Sequence, residues 1–267
     1  MNVSQHARTI APAAAICEFP LIYFWNLIMV INDLFIRRFR RSGGMSEEEL
    51  ADLGALPCQR QSFRPGEVIV SRDQPLDRLR ILARGMAARC HYPHGRDEVR
   101  VITALHVPGD LVDLEGLVQC RLDHDIVALD DCEVEAVDHH ALRELTDGNP
   151  ALSRVLWGFS LADAAIYRQW LVAAASLRSS AHLAHLICEL YTRLAQVGAA
   201  RNRRLYLPLL QRELAEILGY SSIHINRAVR DLRDRELVRW SGSEIAILDW
   251  DGLRRLAHFD PGYLEGG

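Results

Sequence analysis

Hydrophobic positions change their period twice along the chain. Between residues 57 and 138 they fall in short runs at 68–70, 79–82, 86–90, 99–102, 126–129 and 132–137. Gly66, Gly85, Gly95 and Gly109 sit at the turns between runs. Many short segments at this spacing predict an antiparallel sandwich or jelly roll. From about 151 to 177 the period lengthens. Leu152, Leu156, Phe159, Asp163, Ile166, Trp170, Ala173 and Leu177 alternate spacings of four and three, which predicts one long helix with a heptad seam. The seam Leu152, Leu156, Phe159, Ile166 and Trp170 is expected to pair with its two-fold mate; the competing reading is a helix packed on its own domain. A short helix at 139–146, opened by His139 and His140, precedes it and ends at Gly148, Asn149 and Pro150. A further helix is expected over 181–197 after Arg178, Ser179 and Ser180.

The most specific pattern lies at 211–236. Leu214, Ala215, Ile217 and Leu218 share one face of a helix that Gly219 ends, because glycine takes the left-handed C-terminal conformation cheaply. Ser221 or Ser222 can cap the next helix through its hydroxyl. Ile225, Ala228, Val229 and Leu232 form that helix's apolar stripe. The spacing is that of a helix-turn-helix, whose second helix enters the major groove. Its outward side chains are Ser221, Ser222, Ile223, Asn226, Arg227 and Arg230. Arginine can bond guanine bidentately and asparagine adenine, so this set is the expected DNA-binding surface. Runs at 237–240 and 245–248 around the turn 241–243 predict a wing, 205–209 a strand pairing with it, and Asp249 the cap of a last helix to about 257.

The N-terminal region reads differently. Residues 19–25 are strongly apolar, and extension to 36 reaches bilayer length, but Glu18, Asn26, Asn32 and Asp33 interrupt it, so no membrane span is expected. Translation is expected to begin at Met29 or Met45. Residues 32–56 read as helical, with a fresh start at Ser46 before Glu47, Glu48 and Glu49. The basic run Arg37, Arg38, Arg40 and Arg41 reads as a solvated face. The expected division is an extension of doubtful structure at 1–31, a sensor domain with N-terminal helices at 32–140, the helical connection at 141–178, a winged domain at 179–258 and a tail at 259–267. The fold class is α+β: an N-terminal double-stranded β-roll, jelly-roll-like, a long dimerisation helix and a C-terminal winged helix-turn-helix.

Composition changes this picture little. The chain has 267 residues and a formal net charge of −4, which does not announce a nucleic-acid binder. Charge distribution does more: arginines outnumber acids over 201–255, and acids outnumber arginines over 60–140. Six cysteines (Cys17, Cys58, Cys90, Cys120, Cys132 and Cys188) show no Cys-x-x-Cys pair, so free thiols in a reducing cytoplasm are expected.

Together these features resemble the Crp/Fnr family of bacterial transcription regulators over about residues 32–257. The matching residues are Arg64-Pro65-Gly66-Glu67, the Gly85 turn, Val107-Pro108-Gly109-Asp110 and, most specifically, residues 213–238. The resemblance implies a non-enzymatic homodimer that binds double-stranded DNA at an inverted-repeat operator, answers a signal sensed by the β-roll and works with RNA polymerase. In that family the position of Arg227 reads a guanine. Departures accompany the match. Members that bind cyclic AMP use a glutamate and an arginine-serine pair after the Pro-Gly-Asp turn. Here the first place holds Leu114 and the second falls near His124 and Asp125, with Arg121 nearby, so cyclic AMP is not the expected signal. The cysteine cluster of the iron–sulfur members is absent, and Ile223 replaces the family's common recognition-helix glutamate.

Two other groups carry metal-ligand chemistry: Cys90, His91 and His94, and Cys120 with Asp123, His124 and Asp125. Both read more simply as solvated or structural, and no metal or cofactor is expected. Cys120 and Cys132 would be redox sensors only if their thiolates were stabilised. The alternative function is a cyclic-nucleotide-type ligand-binding protein acting through protein contacts, with a degenerate winged helix. A jelly-roll metalloenzyme would need a clustered His-x-His and glutamate pattern that the chain lacks.

Overall fold

The computed structural model describes residues 31–93, 100–119 and 121–264. The apolar stretch before residue 31 and the two possible start sites bear on a segment that includes residues outside this set. Helices α1 (Asp33–Ser42) and α2 (Glu47–Gly54) divide the helical stretch of the sequence reading, the second beginning at the expected Ser46 start. Gly43 and Gly44 both adopt positive φ, which breaks the helix between them, and Ser46 and Glu49 then form a reciprocal capping box.

The β-roll consists of β1 (Cys58–Phe63), β2 (Val68–Val70), β3 (Arg78–Arg84), β4 (Ala87–His91), β5 (Val101–His106), β6 (Asp125–Ala128) and β7 (Cys132–Asp138). They form two antiparallel sheets, ordered β1-β7-β3 and β2-β6-β4-β5. Ile69, Leu82, Ala87, Val112, Ile126 and Val134 fill the space between them. Strand β1 was absent from the sequence reading because its four central residues, Gln59 to Ser62, are polar and its only fully buried residue is Cys58. It is an edge strand, held by its register against β7. Gly85 turns β3 into β4 at φ +90, and a Cβ there would meet the Asp131 carbonyl at 2.7 Å and the Cys132 sulfur at 2.8 Å.

Helices α3 (His139–Gly148) and α4 (Pro150–Ser176) follow, capped by Asp138 and Asn149. The expected seam of α4 is corrected here. Leu152, Leu156 and Phe159 are buried within the protomer, packed with Phe35, Phe39, Leu50 and Leu53. Phe159 stands edge-on to Phe39 at 4.8 Å, under the Arg38 guanidinium at 4.7 Å. Ile166 and Trp170 pack against the winged domain's core. The heptad spacing was real, but α1 and α2 cover its first half and the winged domain's core its second. A second seam, offset round the helix, faces outward at the same spacings: Trp157, Leu161, Ala164, Arg168, Leu171 and Ala175. Trp157, Leu161 and Leu171 are 68%, 58% and 70% exposed. Arg38 also departs from the reading of a solvated run: it turns inward and pairs with Asp110.

The remaining elements are α5 (Ser179–Val197), β8 (Arg204–Tyr206), α6 (Gln211–Leu218), α7 (Ser222–Asp234), β9 (Val238–Ser241), β10 (Glu244–Ile247) and α8 (Trp250–Ala257). The small sheet runs β8-β10-β9. A buried polar network joins the halves. Arg193 on α5 donates to Asp110 at 2.7 Å and to the Leu105 carbonyl at 2.9 Å. Glu189, fully buried, accepts from Trp170 of α4 at 3.0 Å and from the Tyr263 hydroxyl at 2.9 Å. Arg100, just before β5, donates to Glu216 of α6 at 3.0 Å. Among the described residues, no helix is long and apolar enough to cross a membrane.

Candidate nucleic-acid interface

The site starts from two local stops. Gly219 closes α6 in the left-handed conformation at φ +70, its N–H donating to the Ala215 carbonyl. Ser221 then caps α7, its hydroxyl oxygen accepting from the His224 N–H at 3.4 Å and lying 2.8 Å from His224 Nδ1. Ile225, Ala228 and Leu232 are buried on the inner face of α7. Their burial leaves Ser221, Ser222, Ile223, Asn226, Arg227 and Arg230 exposed, so the predicted residues share one outer surface.

That surface borders an open groove of about 690 Å³ between α7 and the wing, lined by Ile223, Asn226, Arg227, Arg230, Arg233 and Trp240 among others. The arginines differ in their commitments. Arg233 donates to the Trp240 carbonyl and Arg235 pairs with Asp231 at 2.9 Å, so both serve the fold. Arg227 and Arg230 have no hydrogen-bond or ion-pair partner among the described residues, and their guanidinium groups are free to meet an anion or a base edge. Arg239 on β9 is also exposed and was missed by the sequence reading. A single arginine in a four-residue strand carries no signal until the sheet shows which way it faces.

The sensor half contains a second candidate, a cavity of about 230 Å³ under α4. Arg38, Arg89 and Arg193 line it together with Asp110, Glu115 and Asp163. Most of these charges are already matched. Arg89 reaches Asp163 at 2.9 Å and Glu115 at 3.6 Å, and Arg193 reaches Asp110. Burial first, then Arg89 and Arg193, holds His106 in this wall well below the ordinary imidazole value. Leu114 also lines the cavity, whereas Asp125 lies on β6 and accepts the Arg72 N–H at 2.9 Å. Cys90 and Cys132 are buried, and burial pushes both thiols up to about 12, which makes them poor redox sensors. His94 and Cys120 lie outside the described residues.

The family profile for a cyclic nucleotide-binding domain matches residues 60–149, and that for a Crp-like helix-turn-helix domain matches residues 181–256. The transcriptional regulatory protein btr of Bordetella pertussis is 24% identical over 213 residues, covering 80% of this chain and 87% of its own. The transcriptional activator protein FnrA of Stutzerimonas stutzeri is 26% identical over 156 residues, 58% of this chain and 64% of its own. Among solved structures, FixK2 from Bradyrhizobium japonicum superposes with a TM-score of 0.66 at 21% identity, over 75% of this chain and 98% of its own.

Proposed function

Since the chain belongs to the Crp/Fnr family of transcription regulators, we propose that it reads a specific inverted-repeat operator as a homodimer, through α7 and its wing. The observation that carries this reading is the pair of exposed, uncommitted guanidiniums of Arg227 and Arg230 beside Asn226. Arg227 follows the Ser221 cap by under two turns, in the N-terminal half of a recognition helix, where side chains reach base edges. Exposed Arg201, Arg203, Arg204 and Arg239 are suited to phosphates, which position the protein without reading sequence. A degenerate winged helix, the alternative, would have no use for an unpaired Arg-Asn-Arg surface. No enzymatic role is proposed, since the relatives are regulators.

The dimer contact is assigned to the outward seam of α4. Trp157, Leu161, Ala164 and Leu171 supply an apolar stripe left exposed among the described residues. A two-fold pairing there would bury it and present two recognition helices to successive major grooves, about 34 Å apart. The signal is read as something other than cyclic AMP. Leu114 offers no ribose contact, and a phosphate entering the cavity would face Asp110, Glu115 and Asp163 and compete for arginines already paired. The protein would act in the cytoplasm, with RNA polymerase as its partner at the promoter. Selection of bound fragments from a genomic pool by the purified full chain tests the reading. An inverted repeat with half-sites one helical turn apart is expected, and recovery of random sequence would refute it.

A further inference from the structure

The fold assembles one set of donors from the two metal-competent groups of the sequence. Strand β4 pairs antiparallel with β6, with Cys90 opposite Asp125. Extending that register by one residue sets His91 opposite His124, and their rings lie 5.2 Å apart. Asp123 precedes His124 and brings a carboxylate oxygen to 2.7 Å from its Nδ1. Donor atoms of His91, Asp123 and His124 all lie within 4.8 Å of one another. Bonds of about 2.1 Å at tetrahedral angles separate donors by about 3.4 Å, so the widest pair closes by up to about 1.4 Å and the Asp123–His124 pair opens by about 0.7 Å to complete the set. Asp123 is exposed and His91 half-buried.

The second ring nitrogen of His124 gives independent support. His124 is 3% exposed, and its buried Nε2 has no aligned hydrogen-bond partner among the described residues. Glu115 Oε1 nevertheless stands 3.4 Å from it, within ion-pair distance. A ligating histidine commonly donates its other N–H to a carboxylate, which fixes the tautomer and strengthens the ligand. Here Nδ1 faces the Asp123 and His91 donors and Nε2 faces that carboxylate.

We propose that His91, Asp123 and His124 form a binding site for a first-row divalent cation of the zinc type, with Glu115 as the outer carboxylate orienting His124. Two imidazoles and a carboxylate suit zinc, cobalt, nickel or ferrous iron better than magnesium or calcium. Three ligands among the described residues, with Asp123 exposed, suit an exchangeable site rather than a closed structural one. The position also joins the site to the rest of the chain. Glu115 is shared with Arg89, two residues before His91 on β4, and Arg89 holds Asp163 of α4. An ion that fixes His124 draws Glu115 toward Nε2 and loosens its hold on Arg89, altering how the roll grips the helix that leads to the DNA-binding half.

The test uses the full chain, freed of metal by chelator and dialysis, with Zn²⁺, Co²⁺ and Mg²⁺ as probes. One equivalent of Zn²⁺ per chain should bind and raise the melting temperature. Co²⁺ should give visible ligand-field absorption, and Mg²⁺ should do neither. His91→Ala and Asp123→Asn change accessible side chains, and each should weaken Zn²⁺ binding at least tenfold while preserving the far-UV spectrum. Binding that both variants leave unchanged, or no Zn²⁺ or Co²⁺ binding by the wild type, overturns the site. Neither measurement involves DNA, so the result stands apart from the operator reading. With DNA added, Zn²⁺ should change wild-type affinity at least threefold and leave His91→Ala unmoved. Unchanged wild-type affinity with the ion bound would overturn the link to α4.

Discussion

Replacing Phe159 and Trp157 one at a time separates the two seams of α4. Phe159 is 4% exposed, stacked edge-on against Phe39 and covered by Arg38. Phe159→Ala removes a core aromatic and leaves a cavity, at a cost of about 3–5 kcal/mol. That is a large part of the roughly 5–15 kcal/mol that holds a domain together. The loss falls on each protomer alone, so it should appear in urea unfolding at every protein concentration. Trp157 is different. With most of its surface in solvent it contributes little to the isolated chain. As an interface anchor, its truncation costs roughly 2 kcal/mol. Two-fold symmetry counts it twice, and about 4 kcal/mol weakens dimerisation about a thousandfold. Sedimentation velocity over a dilution series, beside urea unfolding of both variants, reads the two effects separately. Phe159→Ala should be a destabilised chain, and Trp157→Ala a stable monomer. A Trp157→Ala protein that remains dimeric at the wild-type dilution limit, beside a Phe159→Ala protein that is stable but monomeric, would restore the inner seam and refute this assignment.

Two further perturbations probe the junction between halves. Asp110→Ala leaves Arg38 and Arg193 facing each other without their shared carboxylate, and should cost roughly 3 kcal/mol in urea unfolding; a loss under about 1 kcal/mol would mean that the network is not buried as described. His182 is buried beside Tyr220 in α5, and burial, then His185, brings its imidazole down to about 4. The folded state therefore binds fewer protons than the unfolded one between about pH 4 and 6.5. The stability contributed by neutral His182 is complete above pH 6.5 and is lost as pH falls toward 4, by roughly 3 kcal/mol. His182→Gln should flatten the wild-type dependence of unfolding free energy over that window, and a slope unchanged by the substitution would contradict it.

Local signals in the sequence were legible where one residue decides a backbone conformation or a cap. Gly219 and the Ser221–Ser222 pair marked the turn between α6 and α7, and Asp249 the start of α8, because each acts on its nearest peptide groups; which serine caps is settled by the structure as Ser221. Periodicity found α4 and assigned its register of four and three. It could not tell which of two seams faces solvent, since α1 and α2, about a hundred residues earlier, and the winged core, later in the chain, together cover the inner one. Strand β1 escaped because its hydrogen bonds to β7 hold it, not an apolar face. The inward turn of Arg38 escaped for a related reason. Its partner Asp110 lies in a distant turn, and the charge run around it gives no sign that one member leaves solvent. The joining of His91 to His124 rests on strand register, and register between β4 and β6 is not written in either segment alone.

The central claim is that Arg227 reads a base. Arginine paired bidentately with guanine discriminates by roughly 1–3 kcal/mol per half-site, about five- to 150-fold. Removing an arginine that holds only a phosphate weakens binding to all sequences alike and lowers the salt slope by about one unit. The direct measurement is the affinity of wild type and Arg227→Ala, at several salt concentrations, for selected operators that differ only at each symmetric base pair in turn. The account predicts that Arg227→Ala loses discrimination at one symmetric position and keeps it at the others. An equal loss of affinity for every operator, with a reduced salt slope, would make Arg227 a phosphate anchor and contradict the claim.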